Sequence, residues 1–460
     1  MNIIIVGDGK VGYTLAENLS QEDHDVTIID KDPEALRRAA DQLDVMCVRG
    51  SGVSVKVLIE AGVRTTDLLI AATSSDEMNM VCALTGKKLG AQRTVARIRD
   101  PEYASELSLL RKELGLDMII NPEQSAAYEM ARLLQFPSAM NIESFAKGRV
   151  ELVELHIGPE DPIAGMKLKK VHARFNTPIL IGAIERDGAV YIPDGESEIR
   201  VNDTIYVVGK TANAYTFCKA IGKCATRIRN VMVVGGGRVS YYLASQILNM
   251  GMKLKIVEID RDRCQELNEL LPNVLIIHGD GTSEDLLLSE NMADMDAFVA
   301  MTGRDEDNLI LALLAKRAGV QKTIAKVTRM NYSDIIRSLG IDSIVSPRLL
   351  TANHIIRYVR GLNNATGNSV EALYKIVGGQ AEIVEFIINE DRWFLNIRLR
   401  HLNLIKGVLV ATIVRQNEII IPHGNDVMQI DDRVILVTRV HALSDLDDIV
   451  IPEGSKVEAP

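Results

Sequence analysis

Asn2-Ile3-Ile4-Ile5-Val6-Gly7-Asp8-Gly9-Lys10-Val11-Gly12 decides the reading of the whole chain. The apolar run before Gly7 has the pattern of a strand buried on both faces. Val11, Leu15 and Leu19 then recur at helical spacing, and a second apolar run, Val26 to Ile29, ends on Asp30, 23 residues past Gly7. Strand, Gly-x-Gly-x-x-Gly turn, helix, strand and terminal acid together make the dinucleotide-binding fingerprint. In that reading Gly7 permits the tight turn, Gly9 leaves the backbone open to a pyrophosphate and Gly12 lets helix and strand approach. The helix N-terminus offers unpaired N–H groups and the positive end of a dipole. Asp30 is expected to accept hydrogen bonds from the adenosine ribose hydroxyls. Its charge opposes a 2′-phosphate, which favours NAD(H) over NADP(H).

The opening returns later in the chain. Shifted by 228 residues, Asn230-Val231-Met232-Val233-Val234-Gly235-Gly236-Gly237-Arg238-Val239-Ser240 overlies it, and Glu258 falls on Asp30. With one inserted residue the match continues: Gly50-Ser51-Gly52 meets Gly279-Asp280-Gly281, Thr73 meets Thr302, Asn79 meets Asn308, Arg97 meets Lys326 and Tyr103 meets Tyr332. The chain is an internal duplication, with a repeat far longer than that of a solenoid.

Each half reads as two modules. Strands alternating with helices predict an α/β fold, a doubly wound parallel sheet of Rossmann type, in each copy. A small β-rich α+β module follows, signalled by the alternating Val150–Leu155 and by hairpins around Asp187-Gly188 and Gln416-Asn417. Pro193-x-Gly195 recurs as Pro422-x-Gly424, and Asp203 as Asp432. The four modules are expected at residues 1–122, 140–224, 228–350 and 369–452, with linkers near 135–144 and 361–369 and an unstructured tail after Pro452.

With 460 residues and a net charge of −10, the chain has the size for several cores and no signature of a nucleic-acid binder. No apolar run approaches the roughly 18 residues that span a bilayer, and no signal peptide is read at the start. The five cysteines, Cys47, Cys82, Cys218, Cys224 and Cys264, include no C-x-x-C pair and read as reduced thiols of a cytosolic protein, with a Cys218–Cys224 disulfide as an alternative.

Gly7 to Gly12 with Asp30, Gly279-Asp280-Gly281-Thr282, the Thr-x-x-Asp-Glu at Thr73–Glu77 and Thr302–Glu306, and the trailing Ile-Pro-x-Gly modules resemble the RCK (KTN) regulatory proteins of potassium transport. The tandem arrangement is similar to the Trk potassium-uptake branch of that family. The resemblance implies a cytoplasmic subunit, peripheral at the inner face of the membrane. It implies binding of NAD(H), and in some members of ATP or ADP. It implies assembly as a homo-oligomeric ring that gates a membrane-embedded potassium transporter subunit. The family's nucleotide contacts fall on Gly7, Asp8, Gly9, Lys10 and Val11 at the phosphate turn, on Asp30 at the ribose, and on Gly50 and Ser51 beside the adenine. They also fall on Ala72, Thr73 and Ser74 after the fourth strand, and on Arg97 after the fifth. The second set is Gly235, Gly236, Gly237, Arg238, Val239, Glu258, Asp280, Met301, Thr302 and Lys326. Two departures stand out. Ser240 replaces the third glycine and adds a Cβ at the helix–strand contact. Ser51 stands where the second copy has Asp280.

The alternative is an NAD-dependent oxidoreductase. That would need an acid–base group near the nicotinamide, and the eight histidines are scattered with no assignable partner. No catalytic or metal-binding residue is assigned. The basic clusters at Arg37-Arg38, Lys87-Lys88 and Lys167–Lys170 read as solvated faces. The acidic run Asp445, Asp447, Asp448 reads as a solvated tail or a weak cation site.

Overall fold

β1 (Asn2–Val6), β2 (Asp25–Asp30), β3 (Met46–Arg49), β4 (Leu68–Ala71), β5 (Arg93–Arg97) and β6 (Met118–Ile120) form one parallel sheet in the order β3-β2-β1-β4-β5-β6. The order reverses between β1 and β4, so the C-terminal ends of these strands leave the crevice in which doubly wound sheets bind ligands. The computed structural model describes residues 1–22, 24–104, 111–137, 139–146, 148–223, 228–328, 340–364, 370–376, 380–416, 418–439, 443 and 445–451. Cys224, Tyr332, Asn417, the second linker beyond residue 364 and the tail after Pro452 lie outside them.

The next strands are β7 (Ala139–Phe145), β8 (Val150–His156), β9 (Ile179–Arg186), β10 (Ala189–Tyr191) and β11 (Thr204–Lys210). They make an antiparallel sheet ordered β10-β9-β11-β8-β7. The hairpin turn has Asp187 and Gly188 both at positive φ, 51° and 76°, as a two-residue type I′ turn requires. Then the plan repeats. β12 (Asn230–Val234), β13 (Lys253–Glu258), β14 (Leu275–His278), β15 (Ala297–Ala300), β16 (Lys322–Lys326) and β17 (Ser343–Val345) rebuild the parallel sheet as β14-β13-β12-β15-β16-β17. β18 (Val370–Ile376), β19 (Ala381–Ile387), β20 (Val408–Arg415), β21 (Glu418–Ile420) and β22 (Arg433–Thr438) rebuild the antiparallel one as β18-β19-β22-β20-β21. The α/β duplication expected from the sequence is the fold.

One expectation needs correction. The stretch read as a linker, residues 135–144, carries β7, paired antiparallel with β8. A register shift between Ala139 and Asn141 breaks its alternation, so no period of two was visible.

The four modules sort into two units by kind rather than by sequence order. One unit is Met1–Ala131 with Arg229–Ile356, the two parallel-sheet modules; the other is Arg132–Ile228 with Arg357–Pro460, the two antiparallel ones. In the second unit a shared core holds Val150, Leu152, Tyr206 and Val208 of one module with Ile383, Ala411, Ile435 and Val437 of the other. Each of these modules also repeats a buried ion pair: Arg186 Nε and Nη2 donate to both oxygens of Asp203 at 2.7 Å, and Arg415 does the same to Asp432 at 2.8 and 2.7 Å. Both carboxylates are fully buried, and the fork geometry satisfies both oxygens. Asp445 and Asp447, read as tail acids, instead pair with Arg392, and Asp445 with Asp448 closes a capping box on the turn Leu446–Ile449.

Candidate nucleotide site

The first phosphate turn is held open by its glycines. Gly7 has φ +100°, and a Cβ there would lie 3.0 Å from the Ala72 carbonyl and the Thr73 backbone; at Gly12 it would lie 1.8 Å from the Gly7 carbonyl. Gly9 differs: a Cβ there would meet nothing within 4 Å. Its lack of a side chain therefore serves no internal contact and leaves space for a ligand.

Asp30, at the end of β2, accepts the Asp8 N–H at 2.6 Å with one oxygen and the Asp32 N–H at 2.9 Å with the other. Each oxygen keeps a lone pair for a ribose hydroxyl. Asp8 does not line the cavity described below. Its side chain is buried, its Oδ1 has no hydrogen-bond partner among the described residues, and burial with the neighbouring Asp30 pushes its carboxyl up to about 6. The expected contact at Asp8 is not among those the cavity brings together.

The ends of β4 and β5 are tied by Asn79, a residue the sequence reading used only to align the copies. Its Oδ1 accepts the Thr73 N–H at 2.8 Å and its Nδ2 donates to the Arg97 carbonyl at 2.9 Å. Asn308 makes the same bridge between Thr302 and Lys326, at 2.7 and 2.9 Å. The Arg97 Nε is buried without a hydrogen-bond partner among the described residues, and burial lowers its guanidinium from the ordinary value. A desolvated cation in that state is a ready partner for a phosphate.

In the second copy Gly235 repeats the turn with φ +101°, and a Cβ at Gly237 again would meet nothing within 4 Å. Glu258 accepts the Gly236 N–H and, at 2.8 Å, the Asp260 N–H, as Asp30 does in the first copy. Ser240 does not simply crowd the turn: its hydroxyl donates to the Gly235 carbonyl, so the extra Cβ carries a hydrogen bond. Lys326 Nζ donates to the Met301 carbonyl at 3.1 Å, and burial holds its ammonium below the ordinary value. Asp280 is exposed and bound to Thr282, whose N–H and hydroxyl lie 2.9 and 2.7 Å away and lower its carboxyl.

The two turns open into one cavity of about 740 Å³, within the range of small-molecule sites. From the first copy it takes Gly7, Gly9, Lys10, Val11, Asp30, Gly50, Ser51, Ala72, Thr73, Ser74 and Arg97. From the second it takes Gly237, Arg238, Val239, Met301 and Lys326, while Gly235, Gly236, Glu258, Asp280 and Thr302 lie outside it. The cavity thus takes every residue of the first set except Asp8 and only the phosphate end of the second. It also takes Glu123 and Arg348, which the sequence reading missed.

The two copies are pinned together beside this cavity. Tyr242 donates to the Arg99 carbonyl at 2.8 Å and accepts from Asn121 Nδ2 at 3.0 Å. Arg348 Nε reciprocally donates to the Thr14 hydroxyl. Thr14 and Tyr242 are equivalent under the repeat, so each copy's first helix meets the other copy's last strand–helix turn.

The TrkA-N domain family matches residues 3–122 and 231–347, and the TrkA-C domain family residues 152–222 and 383–451. A relative from Methanosarcina mazei, "Trk system potassium uptake protein TrkA homolog 1", is 35% identical over 97% of this chain and 99% of its own. "Trk system potassium uptake protein TrkA" of Vibrio alginolyticus is 32% identical over 98% of this chain and 99% of its own. Among solved structures, "GsuK channel bound to NAD" shares the fold with a TM-score of 0.63 at 17% identity, over 95% of this chain and 76% of that one.

Proposed function

Because the chain belongs to the TrkA family of potassium-uptake proteins, we propose that it is a nucleotide-binding regulatory subunit that gates a membrane-embedded potassium transporter in response to NAD(H), with ATP and ADP as further ligands. The observation that carries this reading is the cavity in which the fingerprint glycines, Asp30 and Arg97, whose Nε has no hydrogen-bond partner among the described residues, converge. The GsuK neighbours, one bound to NAD and one to ADP, support a nucleotide in that fold. The site residues are those named above for both copies, with Gly9, Lys10 and Arg97 at phosphate and Asp30 at ribose in the first.

The reading is of a regulator rather than a catalyst, which the potassium-uptake relatives support. Among the described residues no helix is long and apolar enough to cross a membrane; a peripheral place at the cytoplasmic face is part of the proposal. Self-association into a ring is part of the proposal. Light scattering at micromolar concentration checks it, a strictly monomeric mass being the contrary result.

The function is tested by potassium flux. Proteoliposomes holding the partner transporter subunit are assayed with this chain, with and without NADH, and again with Gly9→Val in its place. Flux should respond to NADH with the unmutated chain and lose that response with Gly9→Val. An equal response from both sinks the proposal.

A further inference from the structure

The two parallel sheets are built alike at the N-terminal ends of their strands, the end opposite the nucleotide cavity. Asp67 accepts the Asn2 N–H at 2.8 Å, and Asp296 accepts the Asn230 N–H at 2.8 Å. The neighbouring strands start in the same register. Asn2 is paired with Asp25 and Thr27 with Met46, as Asn230 is with Lys253 and Lys255 with Leu275. The backbone therefore presents the same surface twice. The charge on it is reversed. Asp25 and Asp44 of the first copy stand where the second has Lys253 and Asn273, and Thr27 stands where it has Lys255. The apolar position is kept: Met46 is 52% exposed and its counterpart Leu275 is 55% exposed.

In the second copy Lys253, Lys255, Asn273 and Leu275 line a cavity of about 460 Å³. Lys255 is already engaged there, its Nζ donating to the Glu290 carboxylate at 3.0 Å. Lys253 is exposed and makes no ion pair among the described residues, and the same holds for Asp25 and Asp44. The Met1 ammonium, 3.5 Å from His24 Nδ1, lies beside the acidic surface and sets one positive charge against the two carboxylates. An exposed apolar side chain flanked by acid on one copy, and by base on the other, has the form of the two halves of one contact. Both halves stand exposed within the chain, so the complement of each is on another molecule.

We infer that the acidic surface at Asp25, Asp44 and Met46 docks on the basic surface at Lys253 and Leu275 of a second copy of this chain. The inference rests on the self-association proposed above and assigns it a surface. Each chain carries one surface of each sign, so the contact is heterologous and runs head to tail until a ring closes. Acid against acid, or base against base, brings like charges together and is disfavoured, which fixes the order of the subunits. Exposed ion pairs are individually weak and screened by salt. The charges therefore select the partner, while Met46 and Leu275 supply apolar area.

The test is light scattering of the full chain at several salt concentrations, for the unmutated protein, Asp25→Lys, Lys253→Glu and the double variant carrying both. Both positions are exposed, so the variants should melt as the unmutated chain does. Each single variant sets like charges face to face and should weaken association about tenfold at low salt. The double variant exchanges the signs of the two surfaces and should restore association. Raising the salt from about 0.05 M to about 0.5 M should erase the differences. Single variants that associate as the unmutated chain does, or a double variant no better than the single ones, overturn this surface and leave self-association standing. A strictly monomeric unmutated chain overturns the self-association reading, and this surface with it.

Discussion

Tyr242, on the first helix of the second copy, donates its hydroxyl to the backbone carbonyl of Arg99 in the first copy at 2.8 Å. The same oxygen accepts from Asn121, which also caps the helix Pro122–Gln135 through the Gln124 N–H at 2.9 Å. Burial pushes the Tyr242 phenol up to about 12, so it stays a donor at any working pH. This residue joins the two parallel-sheet modules and fixes the turn that carries Glu123.

Tyr242→Phe removes both bonds and leaves the Arg99 carbonyl and the Asn121 amide with only their own long contact of 3.4 Å. The expected loss of stability is about 1–3 kcal/mol, the desolvation cost of buried polar groups. Denaturant unfolding followed by a probe on the parallel-sheet unit checks it, and nucleotide affinity should weaken in parallel because the cavity wall loosens.

Asp30→Ala should narrow the preference for NAD(H) over NADP(H). In the unmutated chain the carboxylate meets a 2′-phosphate as a like charge, and NADP(H) should bind about tenfold more weakly or worse. Equal affinities for the two cofactors in the unmutated chain would remove Asp30 from the ribose.

Asp8 gives a pH dependence with a definite sign. Its carboxyl rises from 3.8 to about 6 on folding, through burial first, then Asp30 and Asp32, with Arg38 opposing. The folded state therefore holds this proton more tightly, and the stability it contributes is present below pH 4 and lost as pH rises through 6. Asp8→Asn should be more stable than the unmutated chain at pH 7.5, by up to about 2–3 kcal/mol, with the gain shrinking toward pH 4. The check is the difference between the two proteins at several pH values; a constant difference contradicts the assignment.

In the antiparallel unit, Asp203→Ala strands the Arg186 guanidinium and leaves the Arg200 N–H, 2.7 Å from the carboxylate, without its acceptor. Arg186 is partly exposed and keeps the Glu198 carbonyl, so the expected cost is that of lost charge-assisted hydrogen bonds and an unpaired N–H, about 1–3 kcal/mol. Thermal unfolding should show that loss, and Asp432→Ala should reproduce it in the second copy.

The fold was legible because its signals are local. Gly7, Gly9, Gly12 and Asp30 fall at the spacing that one strand–turn–helix–strand unit imposes, and the repeat doubles the signal at Gly235, Gly237 and Glu258. β7 was not legible, because the irregularity at Asn141 hides its alternation. The joining of the two sites was hidden for a different reason. A comparison of the chain with itself finds identities, whereas the contacts between the copies are made where the copies differ: Tyr242 against Thr14, and Arg348 against Glu123. Asn79 and Asn308 were visible as a matched pair, but only the structure shows that their amides brace the strand ends.

The central claim is that a nucleotide lies against the first phosphate turn. Calorimetric titration of the full chain with NADH, before and after Gly9→Val, tests it most directly. A Cβ at Gly9 touches nothing within 4 Å, so the variant should melt as the unmutated chain does. The account predicts saturable NADH binding that Gly9→Val abolishes, with a second, distinguishable nucleotide-binding event retained there and lost instead in Gly237→Val. NADH binding unchanged by Gly9→Val in a chain of unchanged stability would contradict it.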